Sequence, residues 1–266
     1  MNTLDVQIEG IGLWAPGWPD WDSACAGLRR GEGPRADAAP RPTPGLLPPA
    51  ERRRAPDPVL IACEVAAQAC EAAGRDPAGL CSVFTSTHGD LAITDIMCET
   101  LARAPREISP IRFHNSVHNA PAGYWTIAAH CHAASTSISA YDASFAAGLF
   151  EAAVQAASSG EPVLLVAYDI EAKGAFAELV PITAAFGIAL VLAPARADVE
   201  LPGLRLAAAA DAATSPVALP EAFLALAHGN PMATSALPFV TALVSDIASS
   251  IVLPFGGRGG LRVDFR

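Results

Sequence analysis

The residues that could do chemistry are concentrated in residues 127–144, with the sequence I-A-A-H-C-H-A-A-S-T-S-I-S-A-Y-D-A-S. An alanine-rich, helix-like segment (residues 120–134) leads into a short polar and β-branched strand (residues 135–140). A second alanine-rich helix starts near Tyr141. A strand that runs straight into a buried helix aims backbone N–H groups and one side chain at a common point, which is how such turns present nucleophiles. We therefore expect the chemical centre at this turn.

The tip of the turn is Tyr141-Asp142-Ala143, which contains no cysteine, serine or histidine. A carboxylate is a poor nucleophile toward a thioester, so Asp142 is unsuited to forming a covalent acyl intermediate. An ionised side chain at a helix start more simply caps the helix by accepting from its free N–H groups. We predict a structural cap or an interface contact for Asp142, with an acid–base role as the open alternative.

Histidines near the turn raise the question of a metal site. His114 and His118 are four residues apart and could bind a metal together if both lay on one helix. No H-E-x-x-H motif or cysteine pair accompanies them. The motif G-x-S-x-G, which would mark a serine hydrolase built on Ser139 or Ser144, is also absent. We therefore predict neither a metal nor a cofactor.

Composition excludes several classes of protein. The chain has 266 residues, 52% of them hydrophobic, and a mean hydropathy of +0.33, so it can fill a sizeable core. A net charge of -10 and a pI near 5.0 argue against a nucleic-acid surface, and the basic cluster is confined to Arg52-Arg53-Arg54. Six scattered cysteines without C-x-x-C indicate a reducing compartment, and the first residues lack the features of a signal peptide. We therefore expect a cytoplasmic protein.

Hydrophobic periodicity predicts alternating strands and helices around the turn. The predicted strands are residues 4–12, 81–86, 162–168 and 187–192, and the predicted helices are residues 22–30, 58–73 and 91–103. Residues 31–57 are rich in proline and glycine and are predicted to form a surface loop. The alternation indicates a layered α/β/α domain, with a mostly parallel sheet covered by helices on both sides.

The C-terminal residues 196–266 have the least regular pattern. Residues 232–255 contain one formal charge, Asp246, and are long enough to span a bilayer. Pro238 and the lack of flanking basic anchors favour a buried helix instead, so we predict no membrane span. The glycine-rich residues 256–260 are predicted to form a turn before a final strand.

Two motifs resemble those of a known family. After Pro110, the chain has N-A-P-A-G at residues 119–123 and S-I-S-A-Y-D at residues 137–142. Here it resembles the N-terminal half of a β-ketoacyl synthase, the condensing enzyme of fatty acid and polyketide synthesis. The family pattern is a proline-led loop, N-x-x-A-G opening a helix, and S-x-S-x-A-C with the nucleophilic cysteine heading the next helix. Asp142 stands where that cysteine would be.

The resemblance covers about residues 4–195 and is strongest to the stand-alone proteins called chain length factors, which accompany true ketosynthases in type II polyketide and aryl polyene synthesis. It implies a thiolase-type fold, in which a second half supplies two histidines and a lysine. After residue 195 this sequence has only His228 and no lysine, so the second half is expected to be absent. We predict one domain over residues 1–266, with a recognisable core (residues 1–195) and a divergent tail.

The resemblance also implies a catalytically inactive subunit that pairs with an active β-ketoacyl synthase and shapes its acyl tunnel in polyketide, aryl polyene or fatty acid-type synthesis. Acyl carrier proteins are acidic, as this chain is, so a carrier is expected to dock through the partner. The strand at residues 135–140 is expected at the dimer interface. The residues expected at the interface or the tunnel are Arg112, Phe113, His118, Tyr124, Trp125, Ser137, Ser139 and Tyr141.

Two other interpretations stay open. The chain could be a freestanding hydrolase or decarboxylase that binds an acyl thioester and uses Asp142 or a nearby histidine. It could also be a homodimeric scaffold without a tunnel role. For Tyr124 and Trp125, the alternative is that they are ordinary core aromatics.

Overall fold

The computed structural model describes residues 3–196, 198–210, 213–214, 216–245, 249–257 and 259–266. Within these ranges the chain forms eight strands that join in one sheet. The strands are β1 (Leu4–Trp14), β2 (Cys81–Thr85), β3 (Ser135–Ile138), β4 (Val163–Asp169), β5 (Phe186–Pro194), β6 (Gly203–Ala209), β7 (Ser250–Pro254) and β8 (Gly260–Phe265). Their order across the sheet is β3-β2-β4-β5-β1-β6-β8-β7.

Ten α-helices accompany the sheet in the described part of the chain. They are α1 (Trp21–Arg30), α2 (Pro49–Arg54), α3 (Asp57–Ala73), α4 (Leu91–Arg103), α5 (Pro110–Asn115), α6 (Ala120–Ala128), α7 (Ser144–Ser159), α8 (Phe176–Leu179), α9 (Glu221–Gly229) and α10 (Pro231–Ser245). Local sequence explains where several of these helices begin and end. Asp20 and Ser23 form a capping box at the start of α1. A proline in the first turn of α3 and the left-handed Gly74 after its last residue bound that helix, as the sequence predicts.

Helices cover both faces of the sheet, which confirms the layered α/β/α prediction. On one face α3 and α6 pack around Trp125 and Tyr168. On the other face α1, α7, α9 and α10 pack around Phe145, Phe223 and Phe239. Strands β4 and β5 lie between these layers and are buried along almost their whole length, as their continuous apolar sequences indicate.

The direction of the strands corrects the sequence prediction. Among the described strands, β2–β3 and β2–β4 are parallel pairs, whereas β4–β5, β5–β1, β1–β6, β6–β8 and β8–β7 are antiparallel. The prediction of a mostly parallel sheet was therefore wrong. The connection from β4 to β5 contains only the short helix α8, and antiparallel neighbours need no longer crossover.

Several predicted boundaries also differ. The helix predicted over residues 232–255 ends at Ser245, and residues 250–254 form β7. The proline-rich loop at residues 31–57 contains the short helix α2, which carries the three consecutive arginines. The helix predicted at residues 120–134 stops at Ala128, and His130 shortly after it has a left-handed backbone (φ 51°) that a right-handed helix cannot adopt. The strand predicted at residues 135–140 stops at Ile138.

The C-terminal residues extend the same sheet. β6 pairs with β1, β8 pairs with β6, and β7 forms the far edge, while α9 and α10 cover one face. Two residues of the tail predictions, Asp246 and Arg258, lie outside the described residues. None of the described helices is both long enough and apolar enough to cross a membrane.

Strand β1 and helix α3 approach each other so closely that a side chain does not fit between them. A methyl group on Gly12 would lie 2.1 Å from the Val65 carbonyl oxygen, and one on Gly10 would lie 2.3 Å from the Ala69 carbonyl oxygen. Two glycines on one strand therefore let the helix backbone rest directly on the sheet.

We expect Gly12→Ala to lower the free energy of unfolding by about 1–3 kcal/mol, because the new methyl group forces α3 off β1. Gly33→Ala is the matched control, since no atom lies within 4 Å of a Cβ at that loop position. Urea unfolding of both variants measures the effect. Equal midpoints for the two variants would contradict the close approach of β1 and α3.

Candidate functional site

The turn between β3 and α7 is a tight elbow at the carboxyl end of β3. A single 3-10 turn (Tyr141–Ala143) connects the strand to the helix. Tyr141 has φ 52°, a left-handed conformation that costs a residue with a side chain roughly 1–2 kcal/mol. Strain of this kind is typical of strand-to-helix turns that hold a nucleophile. The strained residue here is Tyr141, one position before the residue that the sequence motif aligned with the cysteine.

Ser144, rather than Asp142, holds the elbow closed. The buried Ser144 hydroxyl accepts from the Ala140 N–H at 3.0 Å and donates to the Tyr141 carbonyl oxygen at 2.7 Å. Asp142 is exposed, and its carboxylate has no hydrogen-bond or ion-pair partner among the described residues. The predicted cap by Asp142 was therefore wrong, because α7 starts at Ser144, one residue later than a cap at Asp142 requires.

Tyr141 projects from the elbow with 64% of its surface exposed. Its ring meets the His88 ring edge to face, with centroids 5.6 Å apart and an interplanar angle of 79°. His88 belongs to the loop that follows β2. The elbow and this loop thus present two neighbouring aromatic rings at one edge of the sheet.

A buried carboxylate below the elbow was missed by the sequence reasoning. Asp169, the last residue of β4, is 1% exposed. It accepts from the Ser86 hydroxyl at 2.7 Å, from the Thr87 N–H at 2.8 Å and from the Thr87 hydroxyl at 2.6 Å. Its position at the end of an otherwise apolar strand was the available signal, because β2, β3 and β4 are parallel and end at the same edge.

The environment of Asp169 shifts its pKa. Burial raises the pKa of Asp169, against the hydrogen bonds from Thr87 and Ser86, which lower it. Because the pKa of Asp169 is higher in the folded than in the unfolded state, its contribution to the free energy of unfolding is greatest at pH values below the usual pKa of 3.8. That contribution is lost as the pH rises through the raised pKa.

The structure places the predicted site residues in three groups. Trp125 lies in the core with 0% exposure, and its indole N–H has no partner among the described residues. Tyr124, His118 and Ser137 are half-buried; the Tyr124 hydroxyl donates to the Asn115 side chain at 3.2 Å. The four exposed residues are Arg112, Phe113, Ser139 and Tyr141.

Two of these residues connect the elbow region to the loop after β2. The Ser139 hydroxyl donates to the Thr87 carbonyl oxygen at 2.9 Å, and the His118 ring lies 3.3 Å from the Ser86 carbonyl oxygen. His114 lies on α5 and His118 lies beyond its end, so the two histidines do not share a helix. Among the described residues, no group of three histidine, cysteine or acidic side chains is placed to hold a metal.

The segment from α5 to α6 exposes an unusual amount of apolar surface. We call the exposed side chains of Ile111, Phe113, Val117 and Ile127 the α5–α6 face; each is 47–76% exposed. Next to it lies a mainly apolar groove of about 520 Å³. Residues from the chain before α2, from α5 and from α6 line this groove, among them Leu46, Leu47, His114, Tyr124 and Ile127.

The buried cysteines offer no replacement nucleophile. Burial raises the pKa of Cys63 to about 12 and that of Cys70 to about 12, which keeps both thiols protonated near neutral pH. Cys131 is also buried, and its thiol donates to the Leu80 carbonyl oxygen. None of the three is at the elbow.

Comparison with known proteins adds an independent line of evidence. The model of the family described as β-ketoacyl synthase, N-terminal domain, matches residues 18–218. None of the curated proteins matches the chain.

Solved structures with the same fold come from ketosynthase complexes. The chain is similar to one from the ketosynthase ApeO in complex with its chain length factor ApeC from Xenorhabdus doucetiae, with 24% identity, a TM-score of 0.72 and 98% and 99% of the two chains covered. It is also similar to the ishigamide ketosynthase/chain length factor, with 16% identity, a TM-score of 0.67 and 99% of each chain covered. A third similar chain comes from AntDE:AntF, a complex of a type II polyketide acyl-carrier protein with its hexaketide-bound ketosynthase. The identity is 11%, the TM-score is 0.74, and 99% of each chain is covered. Identities this low establish the fold alone.

Replacing Tyr141 tests the strained elbow. We expect Tyr141→Gly to be more stable than Tyr141→Ala by about 1 kcal/mol, because both variants remove the exposed ring but only glycine adopts positive φ without strain. Urea unfolding of the pair measures the difference. Equal stabilities would show that position 141 does not need a left-handed backbone.

Replacing Asp169 tests the effect of its raised pKa. We expect the free energy of unfolding of the native chain to fall relative to that of Asp169→Asn as the pH rises above about 4, since the native carboxyl ionises at a cost that the amide avoids. Thermal unfolding from acid to neutral pH measures the difference, with Asp142→Asn as the control for net charge. A difference that stays constant or shrinks with pH would contradict the predicted sign.

Proposed function

The chain belongs to the family of β-ketoacyl synthase N-terminal domains, and from this membership we propose that it is a chain length factor-like subunit. In this role it pairs with an active β-ketoacyl synthase, performs no condensation itself and shapes the partner's acyl tunnel. The observation that carries the proposal is an elbow that keeps the strand–turn–helix geometry of a nucleophile site but presents Tyr141 and Asp142 instead of a thiol.

Catalytic silence follows from the chemistry that condensation requires. A thiolate must accept an acyl chain from a thioester, and donors must stabilise the oxyanion and the enolate. Tyr141 and Asp142 supply no thiolate. No hydrogen-bond donor among the described residues orients the Asp142 carboxylate, which also argues against a freestanding hydrolase or decarboxylase built on it.

The surface around the elbow suits a protein partner. β3 is an edge strand of the sheet, and no described strand lies on its outer side. The Ser82 N–H donates to the Ala134 carbonyl oxygen, so by the alternation of a parallel ladder the backbone groups of Ser135 and Ser137 point away from β2. An open edge of this kind pairs readily with a strand of another chain.

Exposed apolar side chains extend this surface. The α5–α6 face carries four large side chains that a monomer gains nothing by exposing. We propose that β3 and the α5–α6 face together form the interface with the ketosynthase. Arg112, Phe113 and Tyr141 would then reach toward the partner's tunnel, and their bulk would limit the length of the acyl chain.

The proposed role also concerns the product of the pair, its carrier protein and its location. The product class is a polyketide or related acyl chain, with an aryl polyene as the specific expectation from the sequence resemblance. The net charge of -10 disfavours direct docking of an acidic carrier protein on the average surface of this chain, so the carrier docks through the ketosynthase. The cytoplasmic location expected from the cysteine pattern is part of the same proposal.

The interface can be tested by placing a charge on it. We expect Phe113→Glu to weaken association with a co-expressed β-ketoacyl synthase at least tenfold, because a buried unpaired carboxylate is costly in an apolar interface. Leu224→Glu is the matched control, since Leu224 is an exposed leucine on α9, on the opposite face of the sheet. Co-purification and titration calorimetry measure both variants. Equal effects from the two variants would exclude the α5–α6 face as the interface.

The tunnel role can be tested through the products of the pair. We expect Tyr141→Ala to lengthen the acyl products while the complex remains intact, because the shorter side chain leaves more room for chain growth. Mass spectrometry of the products measures the shift, and the isolated chain should consume no acyl thioester. Turnover by the isolated chain that Asp142→Ala abolishes would support the freestanding enzyme instead.

A further inference from the structure

We infer that Asp169 is a positioning residue that fixes the Tyr141 side chain at the elbow, acting through Thr87 and His88. If Tyr141 limits chain growth, as the proposed function states, Asp169 then sets the product length without touching the acyl chain. The first step concerns this chain alone, and only the second rests on the proposed function.

The first contact is between Asp169 and the loop that follows β2. Both carboxylate oxygens of Asp169 are used: one accepts from the Ser86 hydroxyl and the Thr87 N–H, and the other accepts from the Thr87 hydroxyl. Ser86 is 0% exposed and Thr87 is 6% exposed, so water does not compete for these bonds. The carboxylate therefore fixes both the backbone and the side chain of Thr87.

The second contact joins this loop to the elbow. The Thr87 carbonyl oxygen accepts from the Ser139 hydroxyl, just before the elbow, at 2.9 Å. The Ser86 hydroxyl also accepts from the Gly89 N–H at 2.9 Å, which closes the loop around His88. The His88 ring, held in this closed loop, packs edge to face against the Tyr141 ring. The position of Tyr141 thus depends on the loop that Asp169 holds.

The base of Asp169 is fixed as well. The Asn230 side chain, at the start of α10, donates to the Asp169 carbonyl oxygen at 3.3 Å and to the Ala184 carbonyl oxygen at 2.8 Å. Asn230 is 1% exposed. Because the Asp169 backbone is held in this way, its carboxylate can fix the positions of the loop and, through the loop, of the elbow.

The chemistry of the site favours positioning over simple packing. Burying a carboxyl group costs free energy that an apolar side chain of similar size would not, unless its hydrogen bonds compensate. Within the described part of the chain, the side-chain hydrogen bonds of Asp169 all go to one short loop, and that loop contacts the elbow at two points. An apolar residue would fill the same space but would leave the loop free to move.

The positioning step can be tested on the isolated chain by NMR with 13C-labelled histidine. His88→Gln assigns the His88 resonance, and Tyr141→Leu defines how it moves when the aromatic contact is lost. We expect Asp169→Ala to shift the His88 resonance in the same direction as Tyr141→Leu. Asp169→Asn, which keeps the size of the side chain, provides the same test if Asp169→Ala fails to fold.

All variants are compared at one high pH, where imidazole side chains are neutral, so that differences in ring charge do not contribute. Gln7→Ala is the control for lost stability. Gln7 is a buried polar residue on β1, 4% exposed, at the end of the sheet opposite Asp169. An unchanged His88 shift in the folded Asp169 variants, or an equal shift in Gln7→Ala, would overturn the inference.

The products of the ketosynthase pair separate the two steps. We expect Asp169→Asn to shift product length in the same direction as Tyr141→Leu, with the complex intact by size-exclusion chromatography. A product change with Tyr141→Leu but not with Asp169→Asn would overturn the role of Asp169 in product length. If the His88 resonance moves and neither variant changes the products, the positioning step is supported and the tunnel role in the proposed function is wrong.

Discussion

The candidate site depends on the parallel pairing of β2 with both β3 and β4. Parallel neighbours bring their carboxyl ends to one edge of the sheet, so Thr87 after β2, Tyr141 after β3 and Asp169 at the end of β4 lie together although they are far apart in sequence. The contacts from Thr87 to Ser139 and from His88 to Tyr141 cross between these strand ends, while Ser144 closes the elbow from within. The antiparallel remainder of the sheet extends the core.

Much of the fold was predictable from the sequence because it depends on local pattern. A continuous apolar run forms β4, and a proline and a glycine mark the two ends of α3. Each of these signals affects only the few residues next to it. The direction of β5 was not predictable in this way, because hydrophobic periodicity carries no information about strand direction. A cap of α7 was wrongly assigned to Asp142 because periodicity locates a helix start only to within two or more residues; the N-cap is Ala143, which makes no side-chain hydrogen bond.

The site shows the same division between local and long-range information. The elbow was predicted because strand, turn and helix are contiguous in the chain. Asp169 was missed because its partners, Ser86 and Thr87, are more than 80 residues away and no spacing rule connects them. Trp125 was predicted at the interface or the tunnel because it lies in the helix before the elbow, whereas burial on the inner side of α6 makes it a core residue in the isolated chain.

In the proposed function the chain is one half of a pair, with its open β3 edge and its α5–α6 face directed at a ketosynthase. Native mass spectrometry of the chain co-expressed with an active β-ketoacyl synthase tests this claim most directly. We expect a complex with one copy of each chain and little self-dimer of this chain. A stable self-dimer, or a monomer that does not bind the ketosynthase, would contradict the proposed pairing.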